Sequence, residues 1–331
     1  MDARRKAGHD VRRRIFIAAA PLTLPPAFRS SGDLLADRRY DYAMAAKADG
    51  DGDAAADLLA QALEIAPRWA AGWFALGEVE AARSATEAAA AAFRQAIACD
   101  PGDAMGAGLM LARLGLSPAG SAMSAGYVTA LYDDYAPRFE RALREGLTYR
   151  GPEMLRDAVV RACTATGRAP QFDRMLDLGC GTGLAGAVFA LLCGRIDGVD
   201  LSARMVEQAR RKGVYGALSV GDLRTFLGGR EDGSADLVVA ADVFIYCADL
   251  APIMRDVGRV LSPGGLAAFT VETHEGEGVI LGQALRYAHG EQAVHAVLAE
   301  GGLVPLVFEP AAIRQEAGRP VPGWAVVAAR G

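Results

Sequence analysis

An acid, Asp177, ends a short apolar run and is followed by the closely spaced glycines Gly179, Gly181, Gly183 and Gly186. Glycine admits positive φ and lets the backbone approach a bound group with no Cβ in the way. A helix opening near Thr182 turns its free N–H groups and the positive end of its dipole toward a negatively charged group. A second run, Arg195 to Asp200, also ends in an acid, placed to accept hydrogen bonds from ribose hydroxyls. These residues imply a nucleoside-bearing cofactor.

Two cofactors fit the pattern. Gly181, Gly183 and Gly186 satisfy the G-x-G-x-x-G spacing of dinucleotide sites, with Asp200 roughly 20 residues on. Asp177 favours S-adenosylmethionine over NAD, because a carboxylate there repels a pyrophosphate and attracts an amino acid's ammonium. Gly221-Asp222-Leu223, after a third short run, puts an acid and an apolar residue within reach of an adenine.

Positions 173 to 330 resemble a class I S-adenosylmethionine-dependent methyltransferase. Asp177-Leu-Gly-Cys-Gly-Thr-Gly183 is similar to that family's first motif, and Gly198-Val-Asp200-Leu-Ser-Ala-Arg-Met205 to its second. Gly221-Asp222 is similar to the third, Asp236 to Asp242 to the fourth strand, and Leu261-Ser-Pro-Gly-Gly265 to the turn before the fifth. The resemblance implies that Asp177, Gly179 and Gly181 border the methionine moiety and that Asp200 holds the ribose. It places Leu201, Met205 and Leu223 near the adenine, has Asp222 bond the adenine amine, and sets Ala241 beside the cofactor. Met205 has helix spacing and fits plain core packing equally. Cys180 suits its loop by small size rather than reactivity.

The implied fold is α/β: a doubly wound, mostly parallel seven-stranded sheet whose last strand is antiparallel. Strands are expected over 174–178, 195–200, 217–220, 237–241, 266–272, 303–309 and 323–329. In such sheets ligands sit beyond the carboxyl ends of the strands, so the following loops face the site. The fourth-strand loop carries Asp242 and Tyr246, and the fifth-strand loop carries His274. A further loop, Arg286 to His289, precedes a helix starting near Glu291. His289 is the general-base candidate, since an unperturbed imidazole titrates near neutrality; a structural histidine is the other reading. Tyr246 is the second catalytic candidate, and Asp242 borders either the methionine amine or the acceptor.

Absent patterns narrow the chemistry. No Asn/Asp-Pro-Pro-Tyr or Phe follows the fourth strand, no Pro-Cys pair is present, and no metal constellation is visible. The expectation is in-line methyl transfer to an oxygen or nitrogen of a small molecule, helped by alignment of nucleophile, methyl and sulfur. The net charge of −5 gives no pull toward a phosphate backbone, so nucleic acid is not expected as substrate. The five scattered cysteines read as reduced thiols of a cytoplasmic protein, without disulfides or structural zinc.

Residues 33–116 are alanine-rich, and Pro67 and Pro101 lie 34 residues apart, the tetratricopeptide period. Trp73, Leu76, Gly77, Ala89, Phe93, Ala96 and Pro101 fit that repeat, whereas the first unit is degenerate and the third stops near Leu116. So few repeats need a neighbour to cover their apolar face, so the segment is expected to dock on the catalytic domain or on a second subunit, as a partner-binding groove or as a helical spacer or dimerisation element. Residues 1–32 read as a basic disordered arm rather than a targeting signal, and no stretch is apolar enough to span a bilayer. Residues 117–126 read as a linker. A helical lid over 127–166 follows, as in bacterial methyltransferases carrying such repeats, with Tyr132, Tyr135 and Arg150 as cofactor contacts or packing residues. A protein-recruiting module whose partner is methylated or merely scaffolded is the competing function.

Overall fold

The computed structural model describes residues 30–142, 149–316 and 318–331. The expected arm falls outside them up to position 29, as does the part of the expected lid at 143–148.

The alanine-rich segment forms helices α1 (Leu34–Ala48), α2 (Gly52–Ile65), α3 (Ala70–Ala82), α4 (Thr86–Cys99) and α5 (Ala107–Arg113). Asp33 caps α1 by accepting from the Leu35 and Ala36 amides, and Asp51 caps α2 from the Ala54 amide. Buried alanines such as Ala43, Ala55, Ala62, Ala75, Ala89 and Ala96 let neighbouring helices approach closely. At Gly77 a Cβ would come within 2.5 Å of the Phe93 ring, so the α3–α4 contact needs glycine there.

The expected linker is tied to both sides. It contains a 3₁₀ turn, Ala119–Ser121, and Ser124 caps α6 (Ala125–Tyr135) while donating to the Asp103 carbonyl. Tyr287 Oη donates to the Ala119 carbonyl at 2.5 Å and accepts from the Met123 amide at 3.3 Å. Leu109 of α5 packs with Tyr127 and Val128 of α6, and Leu201, Tyr246, Leu281 and Leu285 close the same cluster. The helical segment therefore docks on the α/β part through α5 and α6. A 3₁₀ turn (Ala136–Arg138) leads to α7 (Phe139–Ala142), and α8 (Gly151–Ala165) follows.

Strands β1 (Phe172–Leu178), β2 (Cys193–Asp200), β3 (Ala217–Val220), β4 (Ala235–Ala240) and β5 (Leu261–Glu272) pair in parallel in the order β3-β2-β1-β4-β5. Further strands are β6 (Val279–Leu281), β7 (Tyr287–His289), β8 (Leu303–Glu316) and β9 (Arg319–Arg330). β9 runs antiparallel between β5 and β8, as expected for the last strand. The seven-strand expectation needs one correction: β6 and β7 form a small antiparallel hairpin, and β7 joins β5 through Glu272 and Ala288. That hairpin places His289 at the end of a strand, not in an open loop.

Helices α9 (Leu184–Phe189), α10 (Ala203–Arg210), α11 (Leu223–Gly228), α12 (Ala251–Val260) and α13 (Glu291–Glu300) complete the layers. One apolar core joins the sheet to α11, α12 and α13; the other joins it to α8 and α9. Burying both faces explains the continuous apolar runs of the central strands. The parallel pairing of β1 to β5 gathers the loops after their carboxyl ends at one edge.

Candidate active site

The turn after β1 is built by positive φ at Gly179 (64°), Gly181 (51°) and Gly183 (85°). A Cβ on Gly179 would lie 2.6 Å from Val243, so that glycine serves packing against the β4 loop. A Cβ on Gly181 would meet nothing nearer than the Phe139 ring at 4.0 Å, which leaves its face open. Beside it the Asp200 carboxylate accepts from the Gly181 amide (2.9 Å) and the Ser202 amide (2.8 Å). Burial raises the Asp200 pKa, against these two hydrogen bonds. The buried Thr182 hydroxyl in the same turn has no hydrogen-bond partner. An open glycine face, an anchored carboxylate and an unpartnered hydroxyl at one strand-end turn fit a nucleoside joined to an amino acid.

Gly183 and Gly186 make room for a side chain that no motif announced. A Cβ on Gly183 would sit 3.0 Å from Tyr215, one on Gly198 2.9 Å, and one on Gly186 would collide with its ring and hydroxyl. Tyr215 Oη donates to Asp177 Oδ2 at 2.6 Å. Asp177 is 1% exposed, and burial lifts its pKa to about 7, opposed by the Tyr215 hydrogen bond and reinforced by Asp200.

The adenine-side candidates divide. Leu201 is half-buried against Tyr132 and Tyr246, whereas Met205 is fully buried beneath α10 and Leu223 belongs to the sheet core. Asp222 is exposed, and its Oδ1 caps α11 by accepting from the Arg224 and Thr225 amides. Ala241 is half-buried just past β4. Burial pushes the Cys180 thiol well up, which keeps it protonated.

The lid helix α6 is fastened at two points. Tyr132 Oη bonds Tyr246 Oη at 2.9 Å, and Ser202 Oγ donates to Asp133 at 2.5 Å. The Tyr132 ring meets Tyr246 and Phe139 edge-on at 5.6 and 5.9 Å. Tyr135 packs on Phe139 at 5.6 Å, with Arg138 over its other side. Phe139, which sequence reasoning passed over, is thus the lid ring nearest Gly181. Arg150 is exposed, and its amide donates to the Ile313 carbonyl at the start of α8.

Asp242 leaves β4 at φ 62°, its amide donating to Thr270 Oγ1 at 2.8 Å. Its carboxylate accepts from Arg314 Nη1 at 2.6 Å. Arg314, 4% exposed, also binds Glu272 and Glu316, and Arg286 donates to the same two acids. Arg314 had no sequence signal, since it reaches this edge from β8. His289 is 2% exposed, its Nε2 donating to the Cys247 carbonyl at 3.0 Å and its Nδ1 unpartnered. Burial depresses the His289 pKa to about 4, so the ring is neutral at pH 7. His274 braces its own loop, accepting from the Gly276 amide at 3.1 Å.

Residues 176–269 match the family model described as a methyltransferase domain. The matched residues run from the end of β1 into β5, so the α/β part of the chain holds a methyltransferase domain. Among curated relatives, the malonyl-(acyl-carrier protein) O-methyltransferase of Yersinia pestis is 32% identical over 124 residues, 38% of this chain and 45% of that protein. The ubiquinone biosynthesis O-methyltransferase of Methylocella silvestris is 35% identical over 95 residues, 28% of this chain and 37% of that protein. The chain thus spans less than half the length of these relatives. A solved 1,6-didemethyltoxoflavin-N1-methyltransferase from Burkholderia thailandensis is 16% identical, with 62% of this chain and 88% of that one covered at a TM-score of 0.46. No helix among the described residues is long and apolar enough to cross a membrane.

Proposed function

We propose that this chain transfers a methyl group from S-adenosylmethionine to an oxygen of a small-molecule acceptor, by in-line displacement. The observation that carries the reading is the Gly181 turn, with its open face and the Asp200 carboxylate hydrogen-bonded beside it. When bound, the cofactor supplies a methyl group already activated by its positively charged sulfur. Asp200 would hold the ribose and Asp177 the amino-acid end. The Tyr246 hydroxyl, with its pKa pushed up to about 12 by burial, would stay protonated and orient the acceptor as a hydrogen-bond donor. For a hydroxyl acceptor the proton must pass to a base, and His289, sealed and neutral, would have to be uncovered to take it; a carboxylate acceptor gives up none. Oxygen is chosen over nitrogen because both curated relatives are named O-methyltransferases.

The helical segment would be tetratricopeptide-like, a reading supported by Gly77 under Phe93 and the buried Ala89 and Ala96. Its docking through Leu109 on the lid helix favours an internal brace over a recruiting module. Calorimetry with S-adenosylhomocysteine and with NAD, followed by methyl-label transfer to a panel of hydroxy and carboxy acids, tests the function. Binding of NAD alone would overturn it.

A further inference from the structure

Tyr215 lies in the turn between α10 and β3, outside every recognised motif, yet it packs on Gly183, Gly186 and Gly198 and bonds Asp177. Its ring occupies the space that Cβ atoms on Gly183, Gly186 and Gly198 would fill, and its hydroxyl donates to Asp177 at 2.6 Å. Two of the three glycines that mimic a dinucleotide pattern are therefore used to admit a tyrosine. Asp177 is 1% exposed near the end of β1, and besides Tyr215 a backbone hydrogen bond from Gly186 favours its ionised form.

We propose that Tyr215 is the positioning residue of the cofactor turn, holding the Asp177 carboxylate so that it can receive the ammonium of S-adenosylmethionine. The inference rests on the function proposed above, in that Asp177 serves the amino-acid end of the cofactor. Burial places the Asp177 titration near neutrality, and the Tyr215 hydrogen bond opposes that rise. The other groups coupled to Asp177 are Asp200 from β2, Cys180 in the turn, Cys193 at the start of β2 and Tyr149 ahead of α8. Two neutral donors favour the ionised carboxyl, the Tyr215 hydroxyl first and the Gly186 backbone amide after it. Losing the Tyr215 hydroxyl moves the Asp177 titration upward, and less carboxylate is present at pH 7.

The test is calorimetric affinity for S-adenosylhomocysteine between pH 5.5 and 9, a range chosen about the Asp177 value of about 7, on the full chain. The wild type is expected to bind more tightly as the pH rises through about 7, with the ligand's own amine setting the alkaline limb. Tyr215→Phe keeps the ring, hence the packing of the turn. It should weaken binding roughly fivefold at pH 7 and move only the acid limb upward. Asp177→Asn should abolish that limb, and adding Tyr215→Phe to it should change nothing further. A uniform loss in Tyr215→Phe with the acid limb unmoved would reduce the residue to packing and overturn the proposal, as would wild-type behaviour. If the wild-type chain binds no S-adenosylhomocysteine, the function itself falls; if it binds with no acid limb, only Tyr215 loses its role.

Discussion

Tyr132 on α6 and Tyr246 after β4 share a hydroxyl–hydroxyl hydrogen bond of 2.9 Å, which ties the helix to the loop after β4. Leu201 packs against the same pair. On the proposed function, with α6 as the lid, exchange of cofactor would require this bond to open. Tyr132→Phe should speed S-adenosylhomocysteine release about fivefold, the equivalent of roughly 1 kcal/mol. Stopped-flow displacement measures it, and an unchanged off-rate would mean that the lid is held elsewhere.

Asp200 accepts from two backbone amides besides serving the proposed ribose. Asp200→Ala should weaken S-adenosylhomocysteine binding by about 1–3 kcal/mol, through the lost ribose bonds and the released Gly181 amide. Calorimetry of the variant decides this, since an unaltered Kd is incompatible with a ribose partner at that position.

His289 predicts an acid-side weakness. Its folded pKa of about 4 lies below the ordinary 6.5, so between those values the unfolded chain binds more protons. Stability should be undiminished by this group above pH 6.5 and fall as the pH drops toward 4, by on the order of 2–3 kcal/mol. Urea midpoints of wild type and His289→Gln, compared across that window, should converge at the acid end. Parallel curves would mean that the imidazole does not titrate this way.

Arg314 neutralises Asp242, Glu272 and Glu316 while 4% exposed. Arg314→Leu strands Asp242 and leaves Glu272 and Glu316 to Arg286 alone, and should destabilise the fold by about 3–5 kcal/mol. Arg314→Lys should recover part of this, because a point charge cannot reproduce the guanidinium fork. Denaturant titration of both variants gives the comparison. Equal stability of the Leu variant and the wild type would contradict the described ion cluster.

The turn from Asp177 to Gly183 and the acid at Asp200 were legible because both obey local rules: an apolar strand, a glycine bend, a carboxylate at the strand end. The β6–β7 hairpin was not legible, since each strand has only three residues and Val279 and Ile280 are exposed. β8 and β9 run past their expected limits because Pro310, Pro320 and Pro322 are accommodated in an antiparallel pair with shifted register. Tyr215, Phe139 and Arg314 escaped for a different reason. Their partners are remote in sequence, and nothing in their neighbours marks a residue that completes a site built elsewhere. His289 was read as a loop residue because Tyr287 and Ala288 carry no alternation that separates strand from loop.

The position of β9 bears on how such a chain is made. The most C-terminal of the described strands lies inside the sheet, hydrogen-bonded to β5 on one side and β8 on the other. Helices α1 to α5 pack on near neighbours in sequence and can assemble while the ribosome is still adding residues. The sheet edge cannot, because β5 waits more than fifty residues of synthesis for its neighbour Gly323–Ala329. Until then the half-finished layer exposes an unpaired rim, so the interval between synthesis of β5 and of β9 is one in which the chain needs protection from aggregation.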